Sequence, residues 1–188
     1  EVILPAGEAH KNLTQVERIA AQCIAGGLDR RSAVVAVGGG VVGDMAGFVA
    51  SVLFRGIPCV QVPTTLLAMI DSAIGGKTGV DLKEGKNLVG AFHQPSLVVC
   101  DLDLIESLPQ REFNSGLAEM IKYGLIADAG LFAELEKRLA HKPVSLDLET
   151  IIRCAQIKAE VVSADERETL GVRAILNFGH TIGHAIET

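Results

Sequence analysis

The stretch "SAVVAVGGG", residues 32–40, runs without a break into "VVGDMAGFVASVLF", residues 41–54. A β-branched apolar run that ends in three glycines reads as a buried strand entering a tight turn. The residues after the turn read as a mostly buried helix. A membrane span from Ala33 to Phe54 is the competing reading, and it fails: Asp44 sits in the middle and five glycines interrupt the run. Two further apolar runs follow, "IPCVQVPTT" at 57–65 and "SLVVCDLDLI" at 96–105. Strands separated by helical stretches predict a parallel sheet with helices on its faces.

The pattern changes after Pro109. "QREFNSGLAEMIKYGLIAD" places Phe113, Leu117, Met120, Ile121, Gly124 and Leu125 at helical spacing. "AGLFAELEKRLAH" and "DLETIIRCAQIKAEVVSADE" repeat that periodicity, as does the segment after Arg173, which two glycines weaken. No strand signal of comparable strength follows residue 109. The expectation is an α/β domain over 1–109 and an all-α domain over 110–188.

With 48% hydrophobic and 21% charged residues the chain is globular. A net charge of −6 argues against a nucleic-acid partner, though not against a local cationic pocket for a small anion. Cys23, Cys59, Cys100 and Cys154 fit no CxxC spacing. Their apolar neighbours predict reduced core residues in a cytoplasmic protein. The opening "EVILPAGEAHKN" has neither the basic start nor the apolar core of a signal peptide. Its first residue is not Met, which suggests a piece of a longer protein.

Four stretches could carry chemistry. "GGGVVGD", 38–44, lets a backbone approach phosphate at a helix N-terminus, or is simply a tight turn. "PTTLLAMIDSAIGGKTGVDLKEGKN", 63–87, ends a strand in two threonines; Asp71, Lys77, Lys86 and Asn87 follow in what reads as a long glycine-rich binding loop. Glu119 and Lys122, three apart, form a surface ion pair on the polar side of their helix or part of a site. His180 and His184 stack on one helical face, a spacing that suits metal ligation or a polar crevice.

Together with "GKNLVGAFHQP", "GLAEMIKYG", "KAEVVSADERE" and "NFGHTIGHAIE", these stretches resemble 3-dehydroquinate synthase along essentially the whole chain. The resemblance implies a Rossmann-like NAD-binding domain, a helical domain, and a divalent metal (zinc or cobalt) in the cleft between them. The implied reaction converts 3-deoxy-D-arabino-heptulosonate 7-phosphate into 3-dehydroquinate and phosphate. NAD oxidises a hydroxyl-bearing carbon, phosphate is eliminated, the carbonyl is reduced again, and an intramolecular aldol step closes the ring.

Position by position, Glu8 and Lys11 match adenosine-ribose contacts, and Gly39, Gly40, Val41 and Asp44 match the pyrophosphate turn. Thr64, Thr65, Leu67, Asp71, Ser72, Lys77, Lys86, Leu104 and Ser107 match further cofactor positions. Glu119 and His180 match metal ligands. Lys77, Asn87, Lys122, Lys158, Arg173, Asn177 and His184 match substrate contacts, and Arg55 matches an arginine that enters a neighbouring subunit, implying a homodimer. Here His180 ligates while His184 serves phosphate. The family's third ligand, a histidine in an "HGE"-type motif, falls past residue 188, and the first part of the nucleotide domain is absent. The resemblance therefore predicts little or no turnover by these residues alone. Related activities share the architecture: other sugar-phosphate cyclases of the 2-deoxy-scyllo-inosose or valiolone type, and metal-dependent alcohol dehydrogenases of the glycerol dehydrogenase kind.

Overall fold

A computed structural model describes residues 1–141 and 143–187, leaving aside the side chains of 184, 185 and 187. Helix α1, Leu13–Ala25, starts where Asn12 accepts the Gln15 N–H at 3.1 Å. Strand β1, Val34–Gly38, turns at Gly39 into α2, Gly40–Val52. Strand β2, Cys59–Pro63, lies parallel to β1, with Val34 opposite Cys59 and Gly38 opposite Pro63. A π-helical turn over Ala68–Ser72 leads to β3, Lys77–Leu82, and β4, Gly85–Phe92. Strand β5, Leu97–Val98, completes a parallel sheet of order β1-β2-β5.

The sheet departs from expectation in two ways. Val35 and Val37 of β1 are exposed while Ala36 between them is buried, so among the described residues α2 covers one face rather than both. The third apolar run pairs only through Leu97 and Val98. Asp101 then accepts the Asp103 N–H at 3.1 Å and starts a 3-10 helix, Leu102–Ser107.

The expected long loop is also different. Residues 77–92 form an antiparallel hairpin, with Lys77 opposite Phe92 and Val80 opposite Val89. Its glycines, which look like loop residues in the sequence, are what let the strands meet. A Cβ on Gly90 would lie 2.0 Å from the Thr78 carbonyl oxygen. Backbone cannot yield as a flexible side chain can, so Gly90→Ala is expected to destabilise the fold by ~2 kcal/mol or more, as overpacking does. An unshifted urea midpoint would contradict this.

Helices α3, Gln110–Ile126, α4, Ala129–Leu139, and α5, Leu148–Ala164, follow, then a 3-10 helix, Val172–Asn177, and α6, His180–Glu187. Two apolar cores result. Val16, Ile19, Met45, Phe48, Val49 and Val80 fill the first. Leu117, Met120, Tyr123, Leu131, Ile151 and Cys154 fill the second, which also takes in Leu66, Met69 and Ile70. Residues 66–70 thus come from the sheet half but are buried among the helices, and this joint fixes a cleft between the halves.

The four cysteines are free, and three of them belong to or pack on a core. Burial raises the thiols of Cys59 and Cys154 to about 11 and about 12, which leaves them unreactive. Cys23 is half-buried against the first core; Cys100 is exposed, contrary to expectation, in the short connection after β5. Among the described residues no helix is long and apolar enough to cross a membrane.

Candidate active site

A cleft of about 530 Å³ opens between the hairpin and the helices. The expected residues Asp44, Asp71, Ser72, Lys77, Asn87, Lys158 and Arg173 line it. Five different elements deliver them: α2, the π-helical turn, the hairpin, α5 and the 3-10 helix at 172–177. Glu168 and Phe92, which the sequence did not single out, line it too.

The glycine turn forms one wall. A Cβ on Gly39 would lie 3.0 Å from Thr65 Cγ2, and one on Gly40 would lie 3.1 Å from Ser72 Oγ. Any side chain there would fill the space beside the first turn of α2, where backbone N–H groups are left for an anion. Val41 continues that turn. Thr65 Oγ1 accepts the Ala68 N–H at 3.1 Å and Thr64 N–H bonds the Gly38 carbonyl at 2.9 Å, so the threonine pair is locked against the glycines. Leu67 precedes the π-helical turn. This cradle fits a dinucleotide pyrophosphate.

Lys11 is buried, and its Nζ donates to Asp44 Oδ2 and Asn87 Oδ1, both at 2.6 Å, with Glu8 at 3.9 Å. Glu8 and Lys11 line a second hollow, with Asn12, Thr14, Asp81 and Lys83. Burial pushes the Asp44 carboxyl up to about 6 against the pull of Lys11. A raised carboxyl favours the fold while protonated. That contribution is whole below the ordinary value of 3.8 and is lost as pH rises through about 6. Asp44→Asn leaves the buried Lys11 without the Asp44 anion at every pH, and on top of that fixed cost its stability relative to the parent is expected to rise by up to ~3 kcal/mol between pH 4 and 7. The gap between the urea midpoints of the two proteins should shift with pH; parallel curves would contradict the assignment.

On the helical side, Glu119 and Lys122 are buried, not the solvated pair that their spacing suggests. The polar side of α3 is covered: Lys122 Nζ bonds the Leu176 carbonyl at 2.6 Å and makes a very short contact to Glu119 Oε1. Glu119 Oε2 lies 3.8 Å from His180 Nε2. Tetrahedral Zn²⁺ with ordinary Zn–N and Zn–O bonds holds such atoms about 3.4 Å apart. These two donors therefore fit a divalent cation after a small closure. They make only part of a ligand set, since among the described residues no group of three metal-ligating side chains occurs.

Lys158 Nζ donates to Asp71 Oδ1 at 2.6 Å, and the Tyr123 hydroxyl donates to the same oxygen at 2.9 Å. Burial pushes the Asp71 carboxyl up, but Lys158 and then Tyr123 outweigh it, and the group sits below its ordinary value. Burial, then the charges of Asp71 and Glu119, push Tyr123 far up, so it stays a neutral donor.

Arg173 is 2% exposed. Its Nη1 donates to the Glu166 carbonyl at 2.8 Å, its plane lies over Phe92, and its buried Nε meets no acceptor. Among the described residues no carboxylate pairs with it. Asp165 holds this loop in place, accepting backbone N–H groups of Thr169, Leu170 and Val172 at 2.8 to 3.0 Å. Glu168, at φ 56°, reaches Lys77 at 2.5 Å.

Other expected positions lie apart. Leu104 packs on the helical core, and Ser107 Oγ donates to its carbonyl at 2.9 Å. Lys86 and Asn177 are exposed and do not line the cleft. Arg55, at φ 70° beside Phe54 at φ 51°, is exposed on the turn after α2. The side chain of His184 lies outside the described residues.

The family model for the 3-dehydroquinate synthase N-terminal region matches residues 1–115, and that for the C-terminal region matches 116–188. The 3-dehydroquinate synthase of Symbiobacterium thermophilum is 58% identical over 99% of the chain, and the chain spans 52% of that protein. The structure of 2-deoxy-scyllo-inosose synthase with carbaglucose-6-phosphate, NAD+ and Co2+ superposes with a TM-score of 0.81 at 36% identity, covering 98% of this chain and 51% of that one. The 2-epi-5-epi-valiolone synthase of Streptomyces hygroscopicus, with NAD+ and Zn2+ bound, gives 0.82 at 35% identity, covering 94% of this chain and 51% of its own.

Proposed function

The chain belongs to the 3-dehydroquinate synthase family, and from that premise we propose that it supplies most of the active site of an enzyme converting 3-deoxy-D-arabino-heptulosonate 7-phosphate into 3-dehydroquinate and phosphate. It spans about half the length of the relatives it matches, so the working enzyme is the longer protein. Arg173 carries this reading: a buried cation with an unmatched Nε, facing a cleft, has its counter-ion in the ligand. A carboxylate fits that fork, and the heptulosonate has one. That separates the proposed substrate from glucose 6-phosphate and sedoheptulose 7-phosphate, which have none.

When bound, NAD⁺ takes up and returns a hydride, and a divalent cation polarises the substrate's oxygens. Gly39, Gly40 and Val41 would hold the pyrophosphate, with Thr64, Thr65, Leu67 and Ser72 along the cofactor and Glu8 and Lys11 at its ribose; Lys86, Leu104 and Ser107 lie outside the cleft, and only the resemblance assigns them to the cofactor. Glu119 and His180 would hold the metal. Arg173 grips the substrate carboxylate and Lys158 and Lys122 its oxygens; Asn177, outside the cleft, is assigned to the carboxylate by the resemblance alone. Lys77, Asn87 and His184 hold the phosphate that leaves. Binding that dianion turns Lys77 from Glu168 to the ligand. Arg55, on a turn of two consecutive left-handed residues, is exposed and does not line its own cleft, which supports a homodimer where Arg55 enters the other copy's cleft.

The test uses the full-length protein with NAD⁺ and Zn²⁺ or Co²⁺. Phosphate and 3-dehydroquinate should appear in equal amounts with no net NADH, and the two sugar phosphates that lack a carboxylate should be inert. Turnover of either, or accumulating NADH, would contradict the reading.

A further inference from the structure

Tyr123 is fully buried, at 0% exposure, yet its hydroxyl is not spent on packing. It donates to Asp71 Oδ1 at 2.9 Å and lies 3.2 Å from the Ile70 carbonyl. Its ring sits in the helical core with Met120 and Leu131, so the phenol oxygen has little freedom. Lys158, from α5, donates to the same Oδ1 at 2.6 Å. Three elements therefore meet at one carboxylate oxygen: the π-helical turn, α3 and α5.

Two donors on one oxygen fix the plane of a carboxylate. With Oδ1 engaged by both donors, Oδ2 is the oxygen left for Asp71, which lines the cleft, to offer a ligand. The grip also fixes Lys158, since a flexible ammonium held at 2.6 Å keeps its other two N–H bonds aimed. A π-helical turn is itself an irregular piece of backbone, often found where a side chain must be aimed. The Tyr123 hydroxyl also reaches the backbone of that turn, at Ile70.

We propose that Tyr123 is a positioning residue of the active site: through Asp71 it aims both the Oδ2 acceptor at the bound cofactor and the Lys158 ammonium at the substrate. This rests on the reading of the cleft given above. A purely structural tyrosine would affect stability and every binding constant alike. A positioning tyrosine acts only while Asp71 is present to be positioned.

Tyr123→Phe keeps the ring and its packing and removes only the donor. The experiment is a double-mutant cycle in the full-length protein with Tyr123→Phe, Asp71→Ala and both, reading NAD⁺ dissociation constants by calorimetry, KM for the heptulosonate phosphate, and Tm. Expected is a five- to twentyfold rise in the NAD⁺ dissociation constant or in KM for Tyr123→Phe, with at most a small change in Tm. In the Asp71→Ala background the same substitution should change neither constant. An equal loss with and without Asp71, or no loss at all, would overturn the proposal. Failure of the parent protein to convert the heptulosonate phosphate would overturn the proposed reaction instead, and the cycle would still read out on NAD⁺ affinity.

Discussion

Glu119→Gln is expected to weaken Zn²⁺ or Co²⁺ binding by more than the roughly 10–100-fold that follows loss of a supporting partner, because it removes one of the two donors found together among the described residues. The carboxylate is buried between two nitrogen groups, the His180 imidazole at 3.8 Å and the Lys122 ammonium. The substitution therefore has a second consequence, on stability, to separate out. Lys122 keeps the Leu176 carbonyl but loses its anion, and leaving one partner of a buried pair uncompensated costs about 3–5 kcal/mol. Glu119→Gln alone should unfold at markedly lower urea. Adding Lys122→Met should recover much of that stability and none of the metal affinity. Cobalt absorption titrations give the affinity and urea midpoints the stability. Unchanged cobalt binding in the single variant would remove Glu119 from the metal site.

Arg173→Met should lower kcat/KM by about 10²–10⁴, the equivalent of two charge-assisted hydrogen bonds. The loss should fall mainly on KM. Stability should move the other way or not at all. The guanidinium is buried with an unmatched Nε and no carboxylate partner among the described residues, so an apolar side chain of similar length relieves a desolvated cation. Arg173→Lys should rescue little, because an ammonium cannot make the paired contacts of a planar fork. Tm and steady-state kinetics check both halves. A variant that loses activity only because it unfolds would assign Arg173 to the fold rather than to the substrate.

The site was legible in the sequence where chemistry and spacing coincide in one short stretch. The glycines of 38–40 follow an apolar run and open a helix, and the structure places that turn against Thr65 and Ser72. His180 and Glu119 lie far apart in the chain and were linked by motif resemblance alone; the geometry places them 3.8 Å apart. What escaped the sequence depended on neighbours that periodicity cannot see. Glu119 and Lys122 fall on the polar stripe of α3, but the 3-10 helix at 172–177 covers that stripe and buries them. Residues 77–87 read as part of a long loop because glycines interrupt the alternation, whereas close strand approach is what requires them. Tyr123 reads as one more core aromatic, and only the position of its oxygen against Asp71 shows otherwise. Glu168 and Asp165 share a motif with Lys158, yet nothing in the spacing says that one pairs with Lys77 and the other holds the loop.

The most direct test of the account is anomalous diffraction at the zinc or cobalt edge from crystals of the full-length protein. The account predicts one peak within roughly 2.0–2.2 Å of both a Glu119 carboxylate oxygen and a His180 ring nitrogen, with Lys122 moved off Glu119. No peak between those two side chains in metal-loaded crystals, or a peak held by other residues, would contradict it.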